Sequence, residues 1–255
     1  MQQAERLYRD GKLAEAIQSL QTYLREHPSE KKARNFLFEL LCFAGEFERA
    51  RKQLLILAEG SNQTKLGTTF YLAALTGEVE RQAFYLNAGN PPAAAAAPAD
   101  SGAPPRAEEV LTGLCNGTPF RGIADLDSRL GASLEFLAAG AYHRMAFRNL
   151  RRLELGTPKN VRDLYWLPAS AETTEALGSN VIEQILIPVL YPQTYLFDDD
   201  LTRLGRTTDW AQTDAGTEIP CGQRMLAIGG EEIPLLAIRS IEFDPQAEPG
   251  NPSDG

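Results

Sequence analysis

The chain predicts an α+β protein of more than one domain: tetratricopeptide-like helical repeats, then a small antiparallel β-rich domain resembling a partial barrel. Three observations predict this. Short sequences recur 34 residues apart near the N-terminus, an alanine- and proline-rich stretch occupies 88–105, and beyond 118 β-branched and aromatic runs alternate with glycine turns.

The repeat is read from "GKLAEAI" (11–17) and "GEFERAR" (45–51), where Gly11 and Gly45, Leu13 and Phe47, and Ala16 and Ala50 share the spacing. The glycine closes one helix with a turn that a side chain would obstruct, and the alanine lets the next helix pack closely. Leu20 and Leu24 continue the second helix of the first unit, Leu54 and Leu57 that of the second, and Pro28 ends the first unit. A degenerate third unit is expected over 70–85, with Gly77 and Ala83 near the repeat positions. The competing reading is a generic helical bundle with chance spacing. Repeats of this kind stack into a solenoid whose concave face is lined by the first helix of each unit. Helical phase places Glu5, Tyr8 and Arg9 of unit one and Asn35, Glu39 and Cys42 of unit two on that face, the candidate partner-binding residues. For any one of them the plain alternative is a solvated surface position.

The expected organisation is a repeat domain over 1–87, a linker over 88–105, and a short helix over 106–117 that ends at Gly117 and completes the helical part. A β-containing domain over 118–244 and a disordered tail over 245–255 follow. Hairpins are expected from 162–171 and 180–192 around "LGSN", from 223–243 around Gly229-Gly230, and from 134–147 around Gly140.

The net charge is −9, from +1 over residues 1–90 and −10 over 91–255, so the acidic half would repel a phosphate backbone and nucleic acid is not an expected partner. No apolar run of membrane-spanning length occurs, the opening residues lack a signal-peptide pattern, and the cysteines (Cys42, Cys115, Cys221) are few and far apart. A cytoplasmic protein with reduced thiols is the expectation.

Chemistry is sought first in "FDDDLTRLGRTTDW" (197–210). Successive carboxylates Asp198, Asp199 and Asp200 lack the alternation, glycine and distal glutamate of a calcium loop, and Arg203 stands where a ligand would help. Asp125 and Asp127 are read in the same way, as residues of a solvated turn. Neither a phosphate-binding loop nor a nucleophile elbow is present, and His27 and His143 lack metal-ligand partners at useful spacing. No catalytic residue, metal or cofactor is therefore expected. Arginines forking onto carboxylates and loop carbonyls are expected to fix irregular turns, with Arg162, Asp163, Arg203, Arg206, Asp209 and Arg224 among them. In that picture Trp210 packs beneath the 197–210 turn while Asp198 to Asp200 stay in water. The alternative is an enzyme or small-ligand-binding protein that uses 198–210.

Five segments together, "FRGIADLDSRLGASLE" (120–135), "RDLYWLPA" (162–169), "IPVLYP" (187–192), "LTRLGRTTDW" (201–210) and "GQRMLAIGGEE" (222–232), resemble the ImpE/TagJ family. These are accessory proteins of bacterial type VI secretion. The likeness also takes in "LYRDGKLAEAI" and covers about residues 1–87 and 106–243. The matched structural positions include Arg162, Asp163, Trp166, Arg203, Gly205, Arg206, Asp209, Trp210, Gly222, Gln223 and Arg224. The resemblance implies a repeat domain followed by a β-containing domain and no enzymatic activity. It implies an adaptor that binds a helical segment of the small subunit of the contractile sheath and, in some members, contacts the ClpV disassembly ATPase. This chain departs from the family where "RQAF" (81–84) runs into the alanine–proline stretch.

Overall fold

The computed structural model describes residues 1–59, 62–87, 110–212, 216 and 218–245. The expected linker (88–105), the first four residues of the expected helix at 106–117, and nearly all of the expected tail lie outside the described residues.

Both repeats form. Helices α1 (Gln2–Arg9) and α2 (Leu13–Glu26) make the first, and α3 (Lys31–Phe43) and α4 (Phe47–Ala58) the second. The repeat glycines take the left-handed conformation that closes each hairpin, with φ of 79° at Gly11 and 70° at Gly45. Ala16 and Ala50 are wholly buried where paired helices touch.

The expected third unit does not form. Helix α5 runs unbroken from Asn62 to Leu86, straight through Gly77. Gly77 is needed for a different reason: a Cβ there would stand 3.0 Å from the backbone carbonyl of Ala141, so the glycine lets the helix lie against a β-hairpin. A turn glycine and a close-approach glycine look alike in sequence.

The β-part begins earlier than expected. The described end of the 106–117 segment is strand β1 (Thr112–Cys115), joined to β2 (Thr118–Arg121) by a two-residue turn. Asn116 (φ 50°) and Gly117 (φ 81°) form that turn, the Asn-Gly chemistry that two-residue hairpins require. Strands β3 (Ile123–Asp125), β4 (Ser133–Ala138), β5 (Ala141–Ala146), β6 (Leu150–Leu155), β7 (Trp166–Thr173) and β8 (Val181–Pro188) follow, then the one-turn helix α6 (Asp200–Arg203). Strands β9 (Thr208–Gln212), β10 (Glu218–Gly222), β11 (Met225–Ile228), β12 (Glu231–Pro234) and β13 (Ser240–Phe243) complete the chain.

Eight strands make one antiparallel sheet in the order β2-β1-β13-β6-β7-β8-β4-β5, while β10-β9 and β12-β11-β3 form two smaller sheets. The hairpins expected around Gly140, "LGSN" and Gly229-Gly230 are β4–β5, β7–β8 and β11–β12. Among the described residues no helix is long and apolar enough to cross a membrane.

The helices and the sheet share one continuous apolar core. Helix α3 shows why: Phe36, Leu37, Phe38, Leu40, Leu41, Cys42 and Phe43 are all buried, so its C-terminal half packs against both the repeats and the β-part, while Lys31 and Lys32 of its first turn stay exposed. Phe38 meets Trp166 and Phe43 meets Tyr165, both from the β-part.

Helix propensity alone would make Gly77→Ala stabilising by about 1 kcal/mol. The contact with Ala141 reverses the sign, and Gly77→Val should lower stability by about 1–3 kcal/mol, read from the midpoint of urea unfolding.

Candidate functional site

The 197–210 segment is a strap. Asp199 caps α6 by accepting from the Thr202 backbone N–H and hydroxyl, both at 2.7 Å. Asp200 accepts from the Ala14 N–H at the start of α2, and Arg206 donates to the carbonyls of Tyr8 and Arg9 at the end of α1. A carboxylate thus meets a helix N-terminus and a guanidinium a helix C-terminus, each the sign that the helix dipole favours. Leu201 packs on Gly11, and Tyr195 packs on Gly45. The two equivalent turns of the repeat are therefore both covered by one stretch of the β-part, and neither could carry a side chain without displacing it.

Two further expectations about this segment change. Trp210 does not pack beneath the turn; it lies on β9 and is 46% exposed. Asp209, expected to be forked by an arginine, instead accepts from the Trp210 backbone N–H and, through its carbonyl, from the Cys221 thiol. Arg203 lies 3.7 Å from Asp200, while Gln223 donates to the Gly205 carbonyl. Gly222 (φ 88°) lies hard against the Thr207 carbonyl, where a Cβ has no room.

A second constellation joins the two parts internally. Arg81 of α5 forks onto Glu135 of β4 at 2.6 and 3.0 Å, reaches Glu78 at 3.0 Å and donates to the Leu190 carbonyl. Arg224 bonds Asp125 at 2.6 Å, lies 3.2 Å from Glu135 and donates to the Pro188 carbonyl. All five charged groups are buried. Three carboxylates face two guanidiniums, and neutral donors meet the excess charge: the Trp166 indole N–H, the Gln82 amide and the Tyr165 hydroxyl at Glu78, and the Tyr142 hydroxyl at Glu135. Burial pushes the Glu135 carboxyl up, but Arg81 and Arg224 outweigh it and hold the group below the ordinary glutamate value. Asp125 and Asp127, expected in a solvated turn, are instead buried: Asp125 belongs to this network and Asp127 is forked by Arg129, because each carboxylate has a guanidinium to replace water.

A cleft of about 890 Å³ opens at the seam between the parts. Phe36, Leu54 and Leu57 form its floor, with Tyr71 on the α5 side and Val161 and Leu164 on the β-part side. The loop 158–164 is fixed by Asp163, which accepts from the N–H groups of Lys159 and Asn160 and closes a capping box with Asn160. Its neighbour Arg162 crosses the seam, donating to the Tyr71 hydroxyl at 2.8 Å and to Glu39 at 3.1 Å. Asn35 donates to the same Glu39 oxygen at 2.8 Å. Burial raises the Glu39 carboxyl above its ordinary value, against the pull of Arg162.

The six candidate partner-binding residues therefore separate. Asn35 and Glu39 line the cleft. Cys42 is buried, with burial driving its thiol well above the ordinary value, and so does not belong to an accessible face. Tyr8 lies under the Arg206 guanidinium and edge-on to Phe36, and the Arg9 carbonyl is held by the same arginine. Glu5 and Arg9 pair with each other near the surface. The β-part occupies much of the face that a bare pair of repeats would leave open. Sequence reasoning passed over Glu78, Arg81 and Glu135; a run of paired charges in an otherwise apolar stretch of α5 was the available signal.

Among the described residues, no three histidine, cysteine or acidic side chains gather as a metal site. The Cys221 thiol is pushed up to about 11, chiefly by burial.

The architecture is that of tetratricopeptide-like helical repeats locked against an antiparallel β domain. The family model described as "ImpE protein" matches residues 117–242, and a tetratricopeptide repeat model matches 7–64. The type VI secretion system accessory component TagJ of Pseudomonas aeruginosa is 33% identical, over 95% of this chain and 91% of that protein. The crystal structure of protein VPA1032 from Vibrio parahaemolyticus shares the fold with a TM-score of 0.77 at 20% identity, over 96% of this chain and 98% of that one. The chain belongs to the ImpE/TagJ family.

Arg81→Met would leave Glu78 buried without its cation and Glu135 with Arg224 alone, and should cost about 3–5 kcal/mol in urea unfolding. A pH series isolates Glu135. Its folded value is depressed, so its contribution is present above the unfolded value of about 4.5 and is lost as pH falls below it. Wild type should therefore lose stability in acid more steeply than Glu135→Gln, whose baseline is lower but flatter.

Proposed function

We propose that this protein is a non-enzymatic adaptor of a type VI secretion system, working in the cytoplasm. In this reading it binds a helical segment of the contractile-sheath small subunit and helps direct the ClpV disassembly ATPase to the sheath. The observation that carries the proposal is the similarity to a type VI accessory component across both the repeats and the β domain. The cleft supports it, because it is an open concavity on the repeat face that retains two of the expected binding residues, Asn35 and Glu39. Tyr8 and Cys42 serve the joint between the domains instead.

The strap supports an adaptor over an enzyme that uses 198–210. Asp199, Asp200 and Arg206 are each bonded to a helix end, a holding role for the polar groups that made the segment resemble a catalytic one.

A pull-down with the cognate sheath small subunit tests the proposal. Asn35→Trp, which fills the cleft, should weaken capture about tenfold or more, equivalent to about 1.4 kcal/mol. Glu5→Ala should leave it unchanged. Undiminished capture by Asn35→Trp would remove the cleft from the reading, and failure of wild type to capture the subunit would remove the adaptor role.

A further inference from the structure

We infer that the cleft selects an amphipathic helix whose apolar stripe is flanked by acidic side chains, and that the β domain supplies one wall of that site. The inference rests on the adaptor reading and adds the chemistry of the bound segment.

The distribution of lysine points to the charge. The chain has six lysines, and three of them, Lys31, Lys32 and Lys159, line this one cleft. Lys159 is the single lysine of residues 91–255, a stretch of net charge −10, and it stands across the cleft from the two on α3. All three are exposed, and among the described residues no ion pair reaches any of them. A protein of net charge −9 therefore turns a local cationic rim toward whatever enters.

The lining points to the shape. Between the lysines lie Phe36, Leu54, Leu57, Val161 and Leu164, which a small anion could not cover. The residues that line the cleft lie on helices and a capped turn, none of them on a strand, so the cleft presents no strand edge to which an extended peptide could add. Recognition falls to side chains, which suits a helix inserting apolar residues at i, i+3, i+4 and i+7 with carboxylates along its flanks. The contribution of both domains follows from the same set of residues. Lys159, Val161 and Leu164 come from the β domain, and Arg162 ties that wall to Glu39 of the second repeat and Tyr71 of α5. Only the docked protein has the site.

The test uses the full chain, the variants Lys159→Glu and Lys31→Glu/Lys32→Glu/Lys159→Glu, and three probes. These are a labelled synthetic helix with a leucine stripe flanked by glutamates, its lysine-flanked counterpart, and the cognate sheath small subunit. The substituted lysines are exposed, so both variants should melt as wild type does. The glutamate-flanked helix should bind wild type about tenfold more tightly than its counterpart, with an advantage that shrinks as salt rises. Lys159→Glu should reduce that preference and the triple variant should reverse it, with sheath-subunit binding falling in parallel. Equal binding of the two helices, or a preference untouched by the triple variant, would overturn the inference. So would concentration-dependent pairing of the chain through the cleft, abolished by the triple variant. Sheath-subunit binding that is equal in wild type and triple variant would overturn the inference and leave the adaptor role standing. A wild type that holds no sheath subunit would overturn both.

Discussion

Arg81 and Glu135 meet across the joint between helix α5 and strand β4, both of them buried, and the rest of the molecule is arranged around that pair. Removing a guanidinium and a carboxylate from water costs more than a single contact returns, so such a pair persists only where every remaining lone pair and proton is met. Here Glu78 and the Leu190 carbonyl meet Arg81, Arg224 and the Tyr142 hydroxyl meet Glu135, and Trp166, Gln82, Asp125 and the Pro188 carbonyl satisfy Glu78 and Arg224 in turn. The network is directional where the surrounding apolar core is not. It therefore fixes one register of helix on sheet, while the core supplies most of the attraction.

The strap at 195–206 makes the same joint from outside. Tetratricopeptide-like units present equivalent turns at regular spacing, and this chain uses the equivalence: Leu201 fills the space over Gly11 and Tyr195 the space over Gly45. Two glycines required by helix geometry thus also serve as landing places. The electrostatics are modest and well placed, with Asp200 and Arg206 at helix ends of opposite partial charge. Helices and sheet share a core, so a repeat array too short to bury both of its faces is completed by the β domain.

Docking the β domain onto the repeats decides what is left for a partner. A face that would otherwise run the length of α1 and α3 is reduced to the cleft beside Asn35 and Glu39, where the 158–164 loop becomes a wall. The two walls of that cleft are tied together by Arg162, which bonds from the β-part loop to Tyr71 and Glu39. The cleft is lined from both parts and so exists only when the two domains are together.

The residues by themselves determined the periodic and the local. The repeat at Gly11 and Gly45, the hairpins at Gly140 and Gly229-Gly230, and the turn-fixing role of Asp163 were legible, because each depends on neighbours a few residues away. Asn116-Gly117 was equally local and was outweighed by helix-forming residues before it. Tertiary structure decided the rest. It decided that Gly77 sits inside a helix and that Trp210 faces solvent. It also buried Cys42 and brought Arg81 of α5 to Glu135 of β4, which are 54 residues apart. Those outcomes depend on which surfaces meet across long separations, and a charge meant for a buried partner reads in sequence like one meant for water. The segment that looked most like an active site, 197–210, is a strap for the same reason: its partners, the ends of α1 and α2, lie about 190 residues earlier in the chain.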